Sequence, residues 1–168
     1  MFDIIVATSL NNAIGLNNII PWKCKEDMKY FSDTTFNSVV IMGRNTYQSI
    51  GKPLKNRINF VISSTNFTNE VPIFRSLNDA LNDANTLNKN IFVIGGSRLY
   101  EEALNHKDLN KIYYNVINVE VEGNFVTFPY TFDQMIDKYT LISEIKTENV
   151  RYHIFKKLNN IKSLVNLS

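Results

Sequence analysis

An acidic residue on an apolar helix face is the first candidate for chemistry in this sequence. The segment after Trp22 is rich in helix formers and contains Asp27, Met28 and Phe31. On a helix, Asp27 and Phe31 lie four residues apart on one face, with Met28 beside them. A buried carboxylate is costly unless a cationic or hydrogen-bonding partner meets it. Asp27 therefore either interacts with the helix dipole from the first turn or belongs to the pocket of a polar ligand.

Two adjacent glycines form the second candidate, because they follow an apolar run that is typical of a buried strand. Gly95 and Gly96 come directly after residues 91–94, and Ser97 and Arg98 follow them. In an open α/β sheet, ligands bind beyond the carboxyl ends of the strands. Glycines let the backbone approach a ligand closely, and a helix starting near Ser97 offers free N–H groups to a phosphate. A tight strand-to-helix turn is the alternative, since the full three-glycine dinucleotide motif is absent.

Two further strand ends carry residues of similar chemistry. The predicted strand at residues 39–42 leads into Gly43 and Arg44, with Thr46 in the first helical turn. A third strand ends at Ser63-Ser64, whose hydroxyls can bind a phosphate or a ribose. Each of these is also a common cap or turn. Together, the three strand ends favour a long ligand with several phosphates, which is typical of a dinucleotide.

Residues 11–22 form a different kind of segment. They are apolar yet rich in turn residues, including Gly15 and Pro21. The segment is too long for a simple connection, and long loops beside a site often act as lids. We therefore expect a lid over the ligand.

The elements that position these residues follow from the spacing of apolar side chains. Strands are predicted at residues 2–7, 39–42, 58–63, 71–74, 91–94, 111–119, 139–145 and 150–158. Helices are predicted at residues 27–36, 44–50, 77–87 and 97–104. Alternating strands and helices predict an α/β fold, a mainly parallel, twisted, eight-stranded sheet with helices on both faces. The last two strands are predicted to form an antiparallel C-terminal hairpin, because only the short polar segment 146–149 joins them.

Chain length and composition limit the class of protein. The 168 residues suit one domain, predicted at 1–158, followed by a tail at 159–168. A net charge of +2, with basic residues scattered, argues against nucleic acid. Apolar runs are too short for a membrane span, and the N-terminus does not resemble a secretory signal. Cys24 is the single cysteine, so no internal disulfide or cysteine metal site is expected, and a cytoplasmic location follows.

The order and spacing of these motifs resemble the dihydrofolate reductase family along about residues 2 to 158. The matching residues recur from the lid to the last third of the chain. They are Ala13-Ile14-Gly15, Pro21-Trp22, Asp27 with Phe31, Met42-Gly43-Arg44 with Thr46, residues 49–54, Arg57, Ser63-Ser64, Ile94-Gly95-Gly96 with Tyr100, Glu122-Gly123 and Phe128-Pro129.

The resemblance implies hydride transfer from NADPH to C6 of dihydrofolate, with a proton delivered to N5. Asp27 would be the catalytic residue, holding the pterin through its amino group and ring N3. The implied substrate contacts also include two main-chain carbonyls, several apolar side chains and the clamp for the glutamate carboxylate. These residues are Ile5, Met28, Phe31, Ile50, Lys52, Leu54, Arg57, Ile94, Tyr100 and Asn115.

The same resemblance assigns residues to NADPH. Ala7, Ile14 and Gly15 would line the nicotinamide. The pyrophosphate would contact Asn45, Thr46, Gly96, Ser97, Arg98 and Leu99, and Gly95 and Tyr100 are further expected cofactor contacts. Arg44, Ser64 and Arg75 would surround the adenosine 2′-phosphate, which argues for NADPH over NADH, and Ser63 is a further expected cofactor contact. The family has a cis peptide between the two glycines, and we expect it at Gly95-Gly96. No metal is expected.

The chain departs from the family pattern at three places. Asn45 stands where many members carry Lys or His, so one pyrophosphate cation is missing. Asn115 replaces a threonine that usually bonds the pocket acid, and its amide can donate to Asp27 instead. Asn124 replaces an acidic residue, and one extra residue precedes Phe128. The contact of that loop with the lid is therefore expected to differ.

Two other functions compete with this interpretation. A related pteridine or ribosyl-pyrimidine reductase would share the dinucleotide site, but not Asp27 together with Arg57. A non-catalytic nucleotide-binding protein would not need Asp27. The expected partners are dihydrofolate and antifolates such as methotrexate, and the protein is expected to be a monomer without nucleic-acid or membrane partners.

Overall fold

The computed structural model describes residues 1–157 of the chain. The strands are β1 (Phe2–Thr8), β2 (Ala13–Gly15), β3 (Val39–Gly43), β4 (Ile58–Ile62), β5 (Ile73–Phe74), β6 (Ile91–Val93), β7 (Leu109–Ile117), β8 (Val126–Thr127), β9 (Thr140–Lys146) and β10 (Val150–Lys156). The helices are α1 (Lys25–Thr35), α2 (Arg44–Ile50), α3 (Leu77–Ala84), α4 (Ser97–Leu104) and α5 (Phe132–Lys138). The predicted tail at 159–168 and the last residue of the predicted final strand, Leu158, lie outside the described residues.

Eight of the strands form one sheet in the order β5-β4-β3-β6-β1-β7-β10-β9. The neighbours from β5 to β7 run parallel, and β10 runs antiparallel to both β7 and β9. The prediction of a mainly parallel eight-stranded sheet with a C-terminal antiparallel hairpin is therefore confirmed.

Helices cover both faces of the sheet, as the alternation along β3 demonstrates. Val39 and Ile41 belong to a core cluster that includes residues of α3 and α4. Val40 and Met42 point the other way, into a cluster with Tyr47 of α2. Successive residues of a strand face opposite sides of a sheet, so a strand buried on both sides reads as one apolar run.

Some elements differ from the prediction. α1 begins at Lys25, two residues earlier than expected, and α3 ends at Ala84 before a 3₁₀ turn, Asn85–Leu87. β5 is shorter than predicted, and Pro72 before it lacks an N–H to donate to the sheet. β7 begins at Leu109 and ends at Ile117 instead of spanning 111–119.

The sequence interpretation missed the small sheet of β2 and β8 and the helix α5. α5 carries a recognisable start signal, a capping box in which the Thr131 hydroxyl accepts from Gln134 N–H and Gln134 bonds back to Thr131 N–H. The strand β8 has only two residues, which is too short for a periodic pattern in the sequence. It is recognisable only from its pairing with β2 in the predicted lid. In the described part of the chain, no helix is long and apolar enough to cross a membrane.

Candidate active site

Asp27 lies in the first turn of α1 and is half-buried against β7. Asn115 Nδ2 donates a hydrogen bond of 3.3 Å to Asp27 Oδ1. Burial raises the pKa of Asp27 above its ordinary value; the hydrogen bond from Asn115 opposes that rise, and the charge of Glu26 adds to it. Burial therefore disfavours the charged carboxylate, and the Asn115 bond partly restores it.

The other atom of the Asn115 amide is an open acceptor. Asn115 is 2% exposed, and its Oδ1 has no hydrogen-bond partner among the described residues. Buried polar atoms are normally paired, so an unpaired acceptor beside a carboxylate indicates a place for a ligand donor. Asp27 and Asn115 together present acceptors suited to an amino group and a ring N–H.

Tyr100 closes the inner end of this site. Its hydroxyl donates to the main-chain carbonyl of Ile5 over 2.8 Å, and the side chain is 5% exposed. Burial, with the charge of Asp27 nearby, raises the pKa of Tyr100 far above its usual value. The hydroxyl thus stays protonated and joins α4 to the middle of β1.

The carboxyl ends of β3 and β6 meet beside this site, as predicted for neighbouring strands. Gly43 N–H donates to Gly95 carbonyl over 2.8 Å, and the peptide between Gly95 and Gly96 is cis. Gly95 has φ +123°, and a Cβ there would lie 3.3 Å from the Tyr100 hydroxyl. A Cβ on Gly96 would lie 3.4 Å from Thr46 Oγ1. The bare backbone therefore leaves a cradle between the starts of α2 and α4.

Two arginines converge on the loop after β4. Arg44 donates to Thr65 Oγ1 over 3.0 Å. Arg75 donates to the carbonyl of Ser63 over 2.8 Å and to Asn66 Oδ1 over 3.0 Å. Within residues 1–157, neither arginine lies within ion-pair distance of a carboxylate. The loop thus carries two uncompensated positive charges, which suits an anion such as a phosphate.

Arg57 is held against the far end of α1. Its Nε donates to Thr35 Oγ1 over 3.1 Å, and its Nη2 donates to Ser32 Oγ over 2.8 Å. The guanidinium also lies over the Phe31 ring, 5.7 Å from its centroid. Asp27 lies in the first turn of α1, whereas Arg57 is bound near the end of that helix. Phe31 lies on the helix between these two positions.

The predicted lid is joined to a second loop through main-chain pairing. In the small sheet, Ala13 pairs with Thr127 and Gly15 with Val126. The Leu16 side chain reaches within 3.6 Å of the Cβ position of Gly123. The two loops are therefore in contact despite the departure from the family pattern at Asn124. In the described part of the chain, no group of three or more His, Cys, Asp or Glu side chains could hold a metal.

Comparison with known proteins agrees with this arrangement. The family model for dihydrofolate reductase matches residues 1–159.

The chain belongs to the dihydrofolate reductase family.

Individual relatives cover most of its length. It is 40% identical over 124 residues to a dihydrofolate reductase of Haemophilus influenzae, covering 73% of this chain and 76% of that protein. Over 163 residues it is 37% identical to a dihydrofolate reductase of Buchnera aphidicola, covering 95% of this chain and 98% of that protein.

A longer relative also matches. A bifunctional dihydrofolate reductase-thymidylate synthase of Paramecium tetraurelia is 36% identical over 164 residues, covering 96% of this chain. The chain spans 35% of the length of that bifunctional protein. The predicted family resemblance is confirmed by these matches.

The remaining residues predicted from the family pattern differ in their exposure. Ile14, Gly15, Ala7, Ile50, Leu54 and Ile94 are half-buried, and Ser97 donates to the carbonyl of Thr127 over 2.9 Å. Lys52, Asn45, Ser64 and Arg98 are exposed, as is Met28 at 66%. The Leu99 side chain packs in the core at 7% exposure, so its predicted contact with the cofactor would be made by its main chain.

Several residues that shape the site were missed from the sequence. Thr65 and Asn66 hold the two arginines beside β4, and Ser32 and Thr35 hold Arg57. Asn59 fixes the loop between α2 and β4. Its amide oxygen accepts from Leu54 N–H, and its amide nitrogen donates to the Leu54 carbonyl, each over 2.9 Å. Polar residues of this kind are also common in turns and strand ends, so their spacing alone carried no signal.

Proposed function

We propose that this protein reduces 7,8-dihydrofolate to 5,6,7,8-tetrahydrofolate with NADPH, and that Asp27 is its catalytic residue. The observation that carries the proposal is the bond from Asn115 to Asp27 in a half-buried site beside the glycine cradle. Membership of the dihydrofolate reductase family supports the same reaction. The product would supply one-carbon metabolism and thymidylate synthesis.

The substrate would lie along α1. With a rise of ~1.5 Å per residue, Asp27 and the residues that hold Arg57 are separated by about 8 to 12 Å along the helix. A ligand with a ring that donates hydrogen bonds at one end and a carboxylate at the other suits this spacing. Phe31, Ile50 and Leu54 would pack against its middle, with Met28 and Lys52 nearer the outside.

At the pterin end, the protein supplies acceptors and a tuned acid. Asp27 accepts from the pterin amino group and ring N3, and Asn115 Oδ1 accepts a further N–H directly or through water. The carbonyls of Ile5, in the middle of β1, and of Ile94, just after β6, would contact the pterin amino group. Because its pKa is raised, Asp27 favours protonation of the substrate at N5 nearer neutral pH.

NADPH, when bound, supplies the hydride that goes to C6 of dihydrofolate. Gly95, Gly96 and the first turns of α2 and α4 offer N–H groups and close backbone approach to its pyrophosphate. Thr46 adds a hydroxyl and Arg98 adds a positive charge, whereas Asn45 is neutral. Ala7, Ile14 and Gly15 would line the nicotinamide, beside the predicted lid.

Preference for NADPH over NADH rests on the loop after β4. The additional 2′-phosphate of NADPH would be bound by Arg44, Arg75 and the Ser63-Ser64 segment. Both arginines are held there by neutral groups, so their charges are available to the phosphate. We also infer a monomer that works in the cytoplasm, in accord with its single cysteine, Cys24.

The test is dihydrofolate-dependent loss of NADPH absorbance, measured in parallel with NADH. We expect oxidation of NADPH that requires dihydrofolate and is much slower with NADH. A related pteridine or ribosyl-pyrimidine reductase would oxidise NADPH only with its own substrate, and a non-catalytic protein would bind NADPH without oxidation. Either of those results would contradict the proposed reaction.

A further inference from the structure

A second carboxylate, next to the pocket acid, holds α1 to the C-terminal hairpin. Glu26 Oε1 accepts from Thr147 Oγ1 over 2.8 Å, and Glu26 Oε2 accepts from Tyr152 Oη over 2.9 Å. Thr147 is itself fixed in the turn, because its hydroxyl accepts from Val150 N–H over 3.1 Å. Both oxygens of one side chain therefore bind groups that are far away in sequence.

The residues that bond Glu26 and Asp27 are neighbours in the sheet. Tyr152 on β10 stands directly opposite Asn115 on β7 in the antiparallel pairing. Consecutive residues of α1 are thus tied to two directly paired residues of the sheet. The two strand residues are 8% and 2% exposed, respectively, so neither has room to move independently.

The same helix face adds an aromatic contact. Tyr30, one turn after Glu26, lies against Tyr152 with ring centroids 4.4 Å apart. The first turn of α1 is also bound by Asn115, which donates to Asp27, whereas the N-cap residue, Cys24, makes no side-chain capping bond. The first turn therefore depends on Glu26 and the Tyr30 contact for its position on the hairpin.

We propose that Glu26 is a positioning residue for the pocket acid, fixing the first turn of α1 on Tyr152 and Thr147 so that Asp27 meets Asn115. The inference rests on the proposed function in assigning Asp27 to the substrate site. Glu26 does not touch the reacting atoms in this assignment. It acts through the helix, and through its charge next to Asp27.

The groups around Glu26 allow its effect on the position of Asp27 and its effect on the charge near Asp27 to be measured separately. Hydrogen bonds from Thr147 and then Tyr152 lower the pKa of Glu26, so it is ionised at neutral pH. Asn149 of the same turn is neutral, and the titratable groups near Tyr152 are Cys24, Glu26 and Asp27. In residues 1–157, no Lys or Arg lies within ion-pair distance of Glu26. Its negative charge is therefore felt by Asp27.

Three variants separate position from charge. Glu26→Ala removes both, Glu26→Gln removes the charge with little change of shape, and Tyr152→Phe removes one hydrogen bond but keeps the charge. Asp33→Ala is the matched control, because Asp33 is an exposed acid of α1 that pairs with Lys29. Methotrexate and NADPH dissociation constants are measured for each, and the Asp27 carboxyl is titrated by NMR.

We expect Glu26→Ala and Tyr152→Phe to raise the methotrexate dissociation constant about three- to tenfold, the size expected for coupling through one packed element. The NADPH dissociation constant should stay within about twofold of wild type. Glu26→Gln should also move the titration of Asp27 to lower pH by roughly 0.3 to 0.5 unit, the size expected for neighbouring charges screened by water. Tyr152→Phe should not lower it.

The proposal is overturned if these variants match Asp33→Ala in methotrexate affinity and in the titration of Asp27. It is equally overturned if they weaken NADPH as much as methotrexate, since that indicates general destabilisation. Should Glu26→Ala fail to fold, Glu26→Gln and Tyr152→Phe carry the same test. A wild-type protein without dihydrofolate-dependent turnover contradicts the proposed function instead, because binding and titration need no turnover.

Discussion

Asn115 Nδ2 lies 3.3 Å from Asp27 Oδ1, although the two residues are 88 positions apart in the chain. The strand β7 places Asn115 on the face opposite Tyr114, and α1 places Asp27 over that face. The remaining Asn115 oxygen is buried and unpaired among the described residues. A single amide thus supports the acid and leaves an acceptor for a ligand.

Replacing Asn115 tests this arrangement. Asn115→Thr should bind methotrexate within about tenfold of wild type, because a hydroxyl can also donate to Asp27. Asn115→Leu should lose about 1 to 3 kcal/mol of methotrexate binding, because it leaves polar groups of the pocket unpaired. Dissociation constants for both variants are the measurement.

Asn118→Leu is a suitable control for these variants. Asn118 is exposed just beyond the end of β7, and its amide is 3.5 Å from the carbonyl of Glu148. If Asn115→Leu binds methotrexate as tightly as this control, Asn115 does not serve the pocket.

Arg57→Ala should raise the Michaelis constant for dihydrofolate with little change in NADPH binding. The variant removes a charge-assisted partner of a carboxylate, which contributes about 1.5 to 3 kcal/mol. Arg57→Lys should recover only part of the loss, because a lysine cannot form the bidentate fork. Steady-state kinetics with both substrates check this. An increase confined to NADPH would mean that the two pockets are assigned the wrong way round.

Arg44→Ala should weaken the binding of NADPH and reduce the preference of the enzyme for NADPH over NADH. The side chain lies over the Phe67 ring at 4.6 Å and donates to Thr65, so it is already held in place for a phosphate. The ratio of kcat/KM for the two cofactors is the measurement. Arg151→Ala, an exposed arginine on β10, is the control for loss of charge alone. Equal ratios in the two variants would remove Arg44 from the 2′-phosphate site.

His153 should make stability depend on pH. It is 1% exposed, and burial lowers its pKa, although its bond to the Tyr114 carbonyl at 2.9 Å opposes this. As pH falls below about 6.5, the unfolded chain takes up the proton first, so the free energy of unfolding decreases until the lower folded pKa is reached. Above about 6.5 the effect is absent.

Thermal unfolding at several pH values checks this prediction. His153→Phe fits the aromatic cluster with Phe132, at 4.7 Å, and Phe155, at 6.1 Å. It should reduce the fall in Tm between pH 7 and pH 5 by about 2 to 4 °C. A wild-type slope in His153→Phe would contradict the prediction.

The parts of the fold that could be predicted are those that local pattern controls. The run at residues 39–42 is apolar because both faces of β3 are buried, and its four residues are 0% exposed. Alternation along β7 placed Asn115 on the face opposite Tyr114, and the family resemblance then predicted that Asn115 faces Asp27, as it does. The paired glycines marked the strand end where Gly95 and Gly43 now meet.

The parts that could not be predicted depend on contacts between distant side chains. Glu26 looks like any first-turn acid until Thr147 and Tyr152 are brought to it, 121 and 126 positions away. Thr65 looks like an ordinary loop residue until Arg44 reaches it. No local periodicity records such pairings, because they are set by how the sheet and helices pack.

The most direct test of the account is to compare wild type with Asp27→Asn in dihydrofolate-dependent NADPH oxidation near neutral pH. NADPH affinity and Tm are measured alongside, to establish that the variant is folded and binds the cofactor. We predict that NADPH binding is retained while turnover falls by more than about a hundredfold, the scale of a group that assists proton transfer. An Asp27→Asn variant that turns over dihydrofolate as fast as wild type would contradict the central role of Asp27.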